Sequence, residues 1–196
     1  MSKLVLTEFL EFRTDSDLLT EQEKKAMTEG EEIYLAGVMQ RAGATNGNGR
    51  IYPKPILERE VENYQKLVRE GRAVGELDHP DSSVVELKNA SHMVTEIRMD
   101  GDDVVGKIKI LETPAGKTAI GLLKGGVKLG ISSRGLGSTR NEGGKTIVQD
   151  DFQLVCFDLV SEPSTTGAFM LREGKEPNIF TKADKINRLL NDLVKE

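Results

Sequence analysis

Gly130-Ile131-Ser132-Ser133-Arg134-Gly135-Leu136-Gly137-Ser138 ends the apolar run Val127, Leu129, Ile131 and sets two serines side by side between glycines. In a strand, successive side chains point to opposite faces, so Ser132 and Ser133 cannot both face one pocket. One serine is then available to a partner while the other is expected to hydrogen-bond locally. The glycines allow the backbone to approach another group closely. Alone, such a cluster reads as a turn. A second stretch far upstream, Gly75-Glu76-Leu77-Asp78-His79-Pro80, gives it a possible chemical partner.

Outward from this stretch, the chain alternates strand-like and helix-like patterns. Residues 1–11 read as an edge strand, 14–32 as a polar loop with a short helix, and 32–40 as a strand. Residues 42–49 form a glycine-rich loop that lacks the lysine of a phosphate cradle. Pro53 and Pro55 open the clearest helix, with Ile56, Leu57, Val61, Tyr64, Leu67 and Val68 on one face, a solvated face opposite, and Gly71 as stop. Arg72–Leu77 is a short strand. Residues 91–99 and 104–111 form a hairpin around Asp100-Gly101-Asp102. Thr113-Pro114 starts a second helix, closed by Gly125-Gly126. Its Gly116-Lys117-Thr118 lacks the glycine a phosphate loop needs five residues earlier, where Leu111 stands. Phe152–Val160 is the most apolar strand, and 184–196 reads as a short amphipathic helix. Many strands with embedded helices predict an α+β fold: a curved or barrel-like, mostly antiparallel sheet core with flanking helices.

Composition narrows the class. The 196 residues allow one ordinary domain with tails, and an apolar share of 37% beside 30% charged residues predicts a modest core. A net charge of −5 without tryptophan argues against a nucleic-acid partner. The single Cys156 rules out an intrachain disulfide and reads as a core residue, and no Cys/His grouping has metal spacing, so no metal or cofactor is expected. No apolar stretch spans a bilayer and Met1–Phe12 lacks a signal core, so a soluble, intracellular protein without a membrane partner is expected.

A serine nucleophile needs a base, usually imidazole, and a third group that orients it. Only His79 and His92 are available as imidazoles. His92 sits in an alternating strand on the face of Val94 and Glu96. His79 lies where a strand breaks before Pro80, the kind of place that carries function. For the third member, Asp158 stands inside an otherwise apolar strand, where burial is costly unless the carboxylate is paired. Asp78 and Glu162 are alternatives, Asp78 the poorer because it would project away from its neighbour's ring.

These blocks resemble the two signature blocks of the prohead core proteases of tailed phages. Asn48-Gly49-Arg50-Ile51-Tyr52-Pro53, Thr113-Pro114-Ala115-Gly116-Lys117 and Asp158-Leu159-Val160-Ser161-Glu162-Pro163-Ser164 are similar to further blocks of that family, in the same order from about residue 33 to 168. The resemblance implies a herpesvirus-protease-like fold and a serine endopeptidase that digests the internal scaffold and trims capsid proteins inside the prohead, in the host cytoplasm. It maps the nucleophile to Ser132 and the base to His79. The herpesvirus relatives use a second histidine after the serine; none follows Ser132 here, which leaves an acid, Asp158, for that role. Backbone N–H groups near Arg134 and Gly135 would hold the oxyanion, with Arg134 adding positive potential.

The resemblance also implies cleavage after glutamate with a large aliphatic residue two positions earlier, and self-processing. Leu171-Arg172-Glu173-Gly174 fits, as do Leu6-Thr7-Glu8 and Ile110-Leu111-Glu112. The end of the compact-looking region favours the Glu173–Gly174 bond. The expected layout is thus a polar N-terminal segment over 1–30, a protease domain over 31–173, and a tail over 174–196 that is removed or docks on the scaffold. Scaffold and capsid proteins are the expected partners, with association between copies as a route to activation. The competing reading, a catalytically silent capsid protein of the same fold, would be expected to lose the serine or the histidine.

Overall fold

The computed structural model describes residues 4–9, 18–30, 32–80, 82–161 and 169–170. Glu162, the Glu173–Gly174 bond and the expected helix over 184–196 lie outside the described residues. Along the chain the elements are β1 (Leu4–Phe9), α1 (Glu21–Glu29), β2 (Tyr34–Arg41), β3 (Arg50–Ile51), α2 (Lys54–Arg69) and β4 (Val74–Glu76). They continue with a 3-10 turn (Leu87–Asn89), β5 (Ala90–Asp100), β6 (Asp103–Ile110), α3 (Pro114–Lys124) and β7 (Leu129–Gly137). The last are β8 (Thr139–Glu142), β9 (Lys145–Val148), β10 (Gln153–Val160) and β11 (Phe169–Met170).

The fold is α+β, with strands that pair almost entirely antiparallel. One sheet runs β1-β7-β10, with β11 also on β7; a second runs β2-β6-β5-β4; a third is β3-β9-β8. The first two meet where β10 lies beside β4, joined by a Leu77–Leu159 bridge. The Asp-Gly turn closes the β5–β6 hairpin, with Gly101 at φ 62°, the left-handed conformation that favours glycine.

Helix α2 covers the junction. Ile56, Leu57, Val61 and Tyr64 are buried, and the Tyr64 ring meets the edge of Phe157 from β10 at 5.7 Å. Each such side chain contributes roughly 1.5–3 kcal/mol by leaving water. The buried face is not wholly apolar, because Glu60 lies within it, three residues after Leu57 and four before Tyr64. Glu60 is buried, and its carboxylate accepts the Leu154 N–H (2.8 Å) and the Arg59 Nε–H (2.9 Å), while Arg59 donates to the Phe152 carbonyl (2.8 Å). The helix thereby grips the start of β10.

In α3, Thr113 caps the helix by accepting the Gly116 N–H at 3.0 Å. A Cβ at Gly116 would stand 1.9 Å from the Leu111 carbonyl oxygen, so this glycine serves close packing. Strict alternation in β5 fails at one point. A register shift between Val94 and Glu96 turns Ile97 inward, on the side of His92 and Val94, and leaves Glu96 outside to pair with Lys107 at 3.4 Å.

Candidate active site

Register builds the site. Strand β7 lies between β1 and β10, and Ser132 stands opposite Asp158 while Arg134 stands opposite Cys156. Cross-strand partners share a face, as do residues two apart, so Ser132, Arg134, Cys156 and Asp158 form one polar block. A β-bulge between Leu154 and Cys156 makes this possible. Without the extra residue, the pairing of Leu154 with Gly135 would carry Asp158 to the level of Ile131, on the other face. Ser133 pairs with Phe157 on that other face, as alternation requires, but its expected local hydrogen bond is missing: its buried hydroxyl has no partner among the described residues.

His79 reaches the block by a turn. Strand β4 ends at Glu76, and Asp78 adopts φ 67°, the left-handed region that aspartate tolerates better than most residues. The Asp78 N–H donates to the Leu159 carbonyl at 2.7 Å, tying the turn to β10. Pro80 stops any return to regular structure.

The imidazole then bridges the strands. His79 Nδ1–H donates to Asp158 Oδ2 at 2.9 Å, and Ser132 Oγ–H donates to His79 Nε2. The tautomer follows from the carboxylate, which only accepts, so Nδ1 carries the proton and Nε2 is left as a base. Ser132 and Asp158 are fully buried, while the His79 side chain keeps 19% exposure.

Asp158 is buried but not alone. It accepts from Arg134 Nε (2.9 Å) and Nη2 (3.2 Å), from the Glu76 N–H (3.0 Å) and from the Cys156 thiol (3.3 Å). Burial pushes its carboxyl up, but the bonds from His79 and the Glu76 amide and the Arg134 charge hold it below the ordinary value of 3.8. Burial pushes the Cys156 thiol up, and the charge of Asp158 adds to this. Cys156 is therefore a thiol donor within the core rather than a thiolate.

Arg134 turns its charge toward the two buried carboxylates. Its guanidinium is fully buried and spent on Asp158, Glu76 and the Ser82 carbonyl (2.6 Å). The Arg134 and Gly135 backbone lies between two paired strands. Gly135 is there for packing, since a Cβ would fall 2.4 Å from the Phe152 ring. Asp78, the weaker alternative acid, enters by its backbone.

Two residues had no role in the sequence reading. Glu76 is completely buried, paired with Arg134, and accepts the Glu86 N–H at 3.1 Å. Its signal was a glutamate between Gly75 and Leu77 in a short strand. His92 is also completely buried. Its Nε2–H donates to the Phe157 carbonyl (3.0 Å), and its Nδ1 accepts the Ser91 hydroxyl (2.8 Å). Burial pushes His92 down to about 4, with Asp158 and the Phe157 carbonyl opposing only in part. It supports β10 from behind and does not touch Ser132 through any of these bonds.

The family model described as prohead core protein serine protease matches residues 13–179. The chain belongs to that family. Within this prohead core protease family, it is 33% identical over 174 residues to the prohead core protein protease of Enterobacteria phage T4, covering 84% of this chain and 82% of the relative. The solved structure of the bacteriophage T4 capsid assembly protease, gp21, is similar with a TM-score of 0.66 and 29% identity. That match covers 82% of this chain and 99% of the other. This prohead core protease is thus a phage capsid-assembly peptidase by family. Among its described residues, no helix is long and apolar enough to cross a membrane.

Proposed function

We propose that the chain is a serine endopeptidase whose triad is Ser132, His79 and Asp158. It digests the internal scaffold and trims capsid proteins inside the assembling prohead, in the host cytoplasm. The observation that carries this reading is the imidazole bonded to the serine hydroxyl at one nitrogen and to a buried carboxylate at the other. His79 Nε2 takes the Ser132 proton as Oγ bonds the scissile carbonyl carbon, and then gives it to the leaving amine. Water repeats the sequence to free the enzyme. Asp158 fixes the imidazole tautomer and offsets the imidazolium charge. Retention of all three groups weighs against a silent capsid protein.

Cleavage after glutamate in Leu/Ile-x-Glu contexts includes the chain's own Glu173–Gly174 bond, which separates a protease domain over 31–173 from its tail. Scaffold and capsid proteins are the substrates, and association between copies assists activation.

Intact mass over time, for the purified chain beside Ser132→Ala, tests the reading. Loss of residues 174–196 from the wild type alone supports both nucleophile and cut site. Equal trimming of Ser132→Ala refutes the nucleophile. If neither form shortens even when scaffold protein is added, the self-processing reading fails.

A further inference from the structure

We propose that Glu76, acting through Arg134, is a positioning residue that balances the charge formed on His79 during catalysis. This rests on the triad reading above. Asp158 and Glu76 are two buried carboxylates that share one buried guanidinium, Arg134. Arg134 and Asp158 alone would cancel, leaving little net field to stabilise an imidazolium. With Glu76 included, the buried group carries one net negative charge while His79 is neutral, and none once His79 holds the Ser132 proton. The cluster is neutral at the moment the reaction creates a cation, inside a region of low polarisability where such balance counts most.

Geometry adds a second element. Arg134 grips Asp158 with Nε and Nη2, gives Nη2 to Glu76, and spends Nη1 on the Ser82 carbonyl. Glu76 also holds the Glu86 N–H. The same two residues therefore set the plane of the Asp158 carboxylate and pin the chain that follows His79 at Ser82 and Glu86. Among the described residues, the other titratable or charged groups around the site are Cys156 on β10, His92 on β5, Tyr64 on α2 and the exposed Asp78 next to His79 in the chain. Glu86 and Lys88, on the loop and the 3-10 turn before β5, pair with each other at 2.8 Å at the surface. None of these provides the second buried negative charge that pairs with Arg134.

The test is the rate of Ser132 labelling by a fluorescent fluorophosphonate across pH 5–9 (roughly the range that brackets an imidazole base). Wild type is compared with Glu76→Gln, Glu76→Gln/Arg134→Met and Ser132→Ala. Glu76→Gln is expected to label about tenfold more slowly at its plateau, with the acidic limb moved roughly half to one pH unit lower. The double variant returns the cluster to one net negative charge. It is expected to move the limb back toward wild type while labelling stays slow, because Asp158 is no longer gripped. Glu76→Gln with the wild-type limb overturns the proposal, whatever its plateau, since a merely structural loss lowers amplitude and leaves the limb in place. Should Glu76→Gln fail to fold, Arg134→Met beside the double variant carries the test, because the two differ only in the Glu76 carboxylate: the acidic limb of the double variant is expected roughly half to one pH unit below that of Arg134→Met, and coincident limbs overturn the proposal. Labelling of Ser132→Ala at the wild-type rate refutes the triad reading, and the proposal falls with it.

Discussion

Acidification from pH 6.5 to about 4 is expected to cost this fold roughly 3 kcal/mol through His92 alone. The ring is fully buried, donates to the Phe157 carbonyl and accepts from Ser91, so its neutral form is built into the core. Burial lowers it from 6.5 to about 4. Below pH 6.5 the unfolded chain therefore takes up a proton that the folded chain refuses until about pH 4. For a group whose folded value is depressed, the stability is complete above the unfolded value and is lost as pH falls toward the folded one. The loss runs at about 1.4 kcal/mol per pH unit for one proton, which over this window gives the figure above. That is a sizeable part of the 5–15 kcal/mol typical of a domain.

The assay is urea unfolding at steps between pH 7 and pH 4.5, in a Ser132→Ala background to prevent self-cleavage. His92→Gln is the comparison, since it keeps a neutral donor and acceptor without the titration. The stability advantage of His92 over Gln should shrink steadily as pH falls. Asp158 does not blur the result. Its depressed value means that its contribution holds above its ordinary value of 3.8 and is lost only as pH falls below it. Parallel slopes for the two proteins across the window would refute the account of His92.

Other positions give sharper single-site tests. Gly75→Ala would place a Cβ 2.0 Å from the Phe157 carbonyl oxygen and 2.3 Å from His92 Nε2. It should destabilise by about 1–3 kcal/mol or more and abolish peptide cleavage, both readable from urea midpoints and turnover. Gly121→Ala, in the middle of α3 with nothing within 4 Å, should instead raise stability by about 0.5–1 kcal/mol with turnover unchanged. Asp78→Val forces a β-branched residue into φ 67° and should cost about 1–3 kcal/mol and most of the turnover, whereas Asp78→Gly keeps both within a few-fold. Glu60→Ala removes the acceptor of the Leu154 N–H beside the β10 bulge. A loss of about 1–3 kcal/mol in urea unfolding is expected, with reduced turnover as Asp158 loosens.

The amino-acid sequence by itself determined whatever depends on near neighbours. Helix α2 follows from apolar residues three and four apart between two prolines and Gly71, and the β5–β6 hairpin from Asp100-Gly101. The carboxylate of Asp158 stood out because it interrupts an apolar strand, and His79 because a proline follows it. Periodicity, caps and turns are local properties, and they survive in a bare sequence.

Tertiary structure alone decided how these pieces meet. The bulge after Leu154 chooses which face Asp158 takes, and the left-handed turn at Asp78 delivers His79 to it. Glu60 interrupts the apolar face of α2, and the partner that satisfies its buried carboxylate lies on a strand 94 residues away. Arg134 read only as a source of positive potential; that it joins Asp158 to Glu76, which stands 58 residues before it, is visible only in the fold. Whether a charge is exposed, paired or working on a neighbour depends on groups distant in the chain. A register shift of one residue reverses every such answer without altering the local pattern.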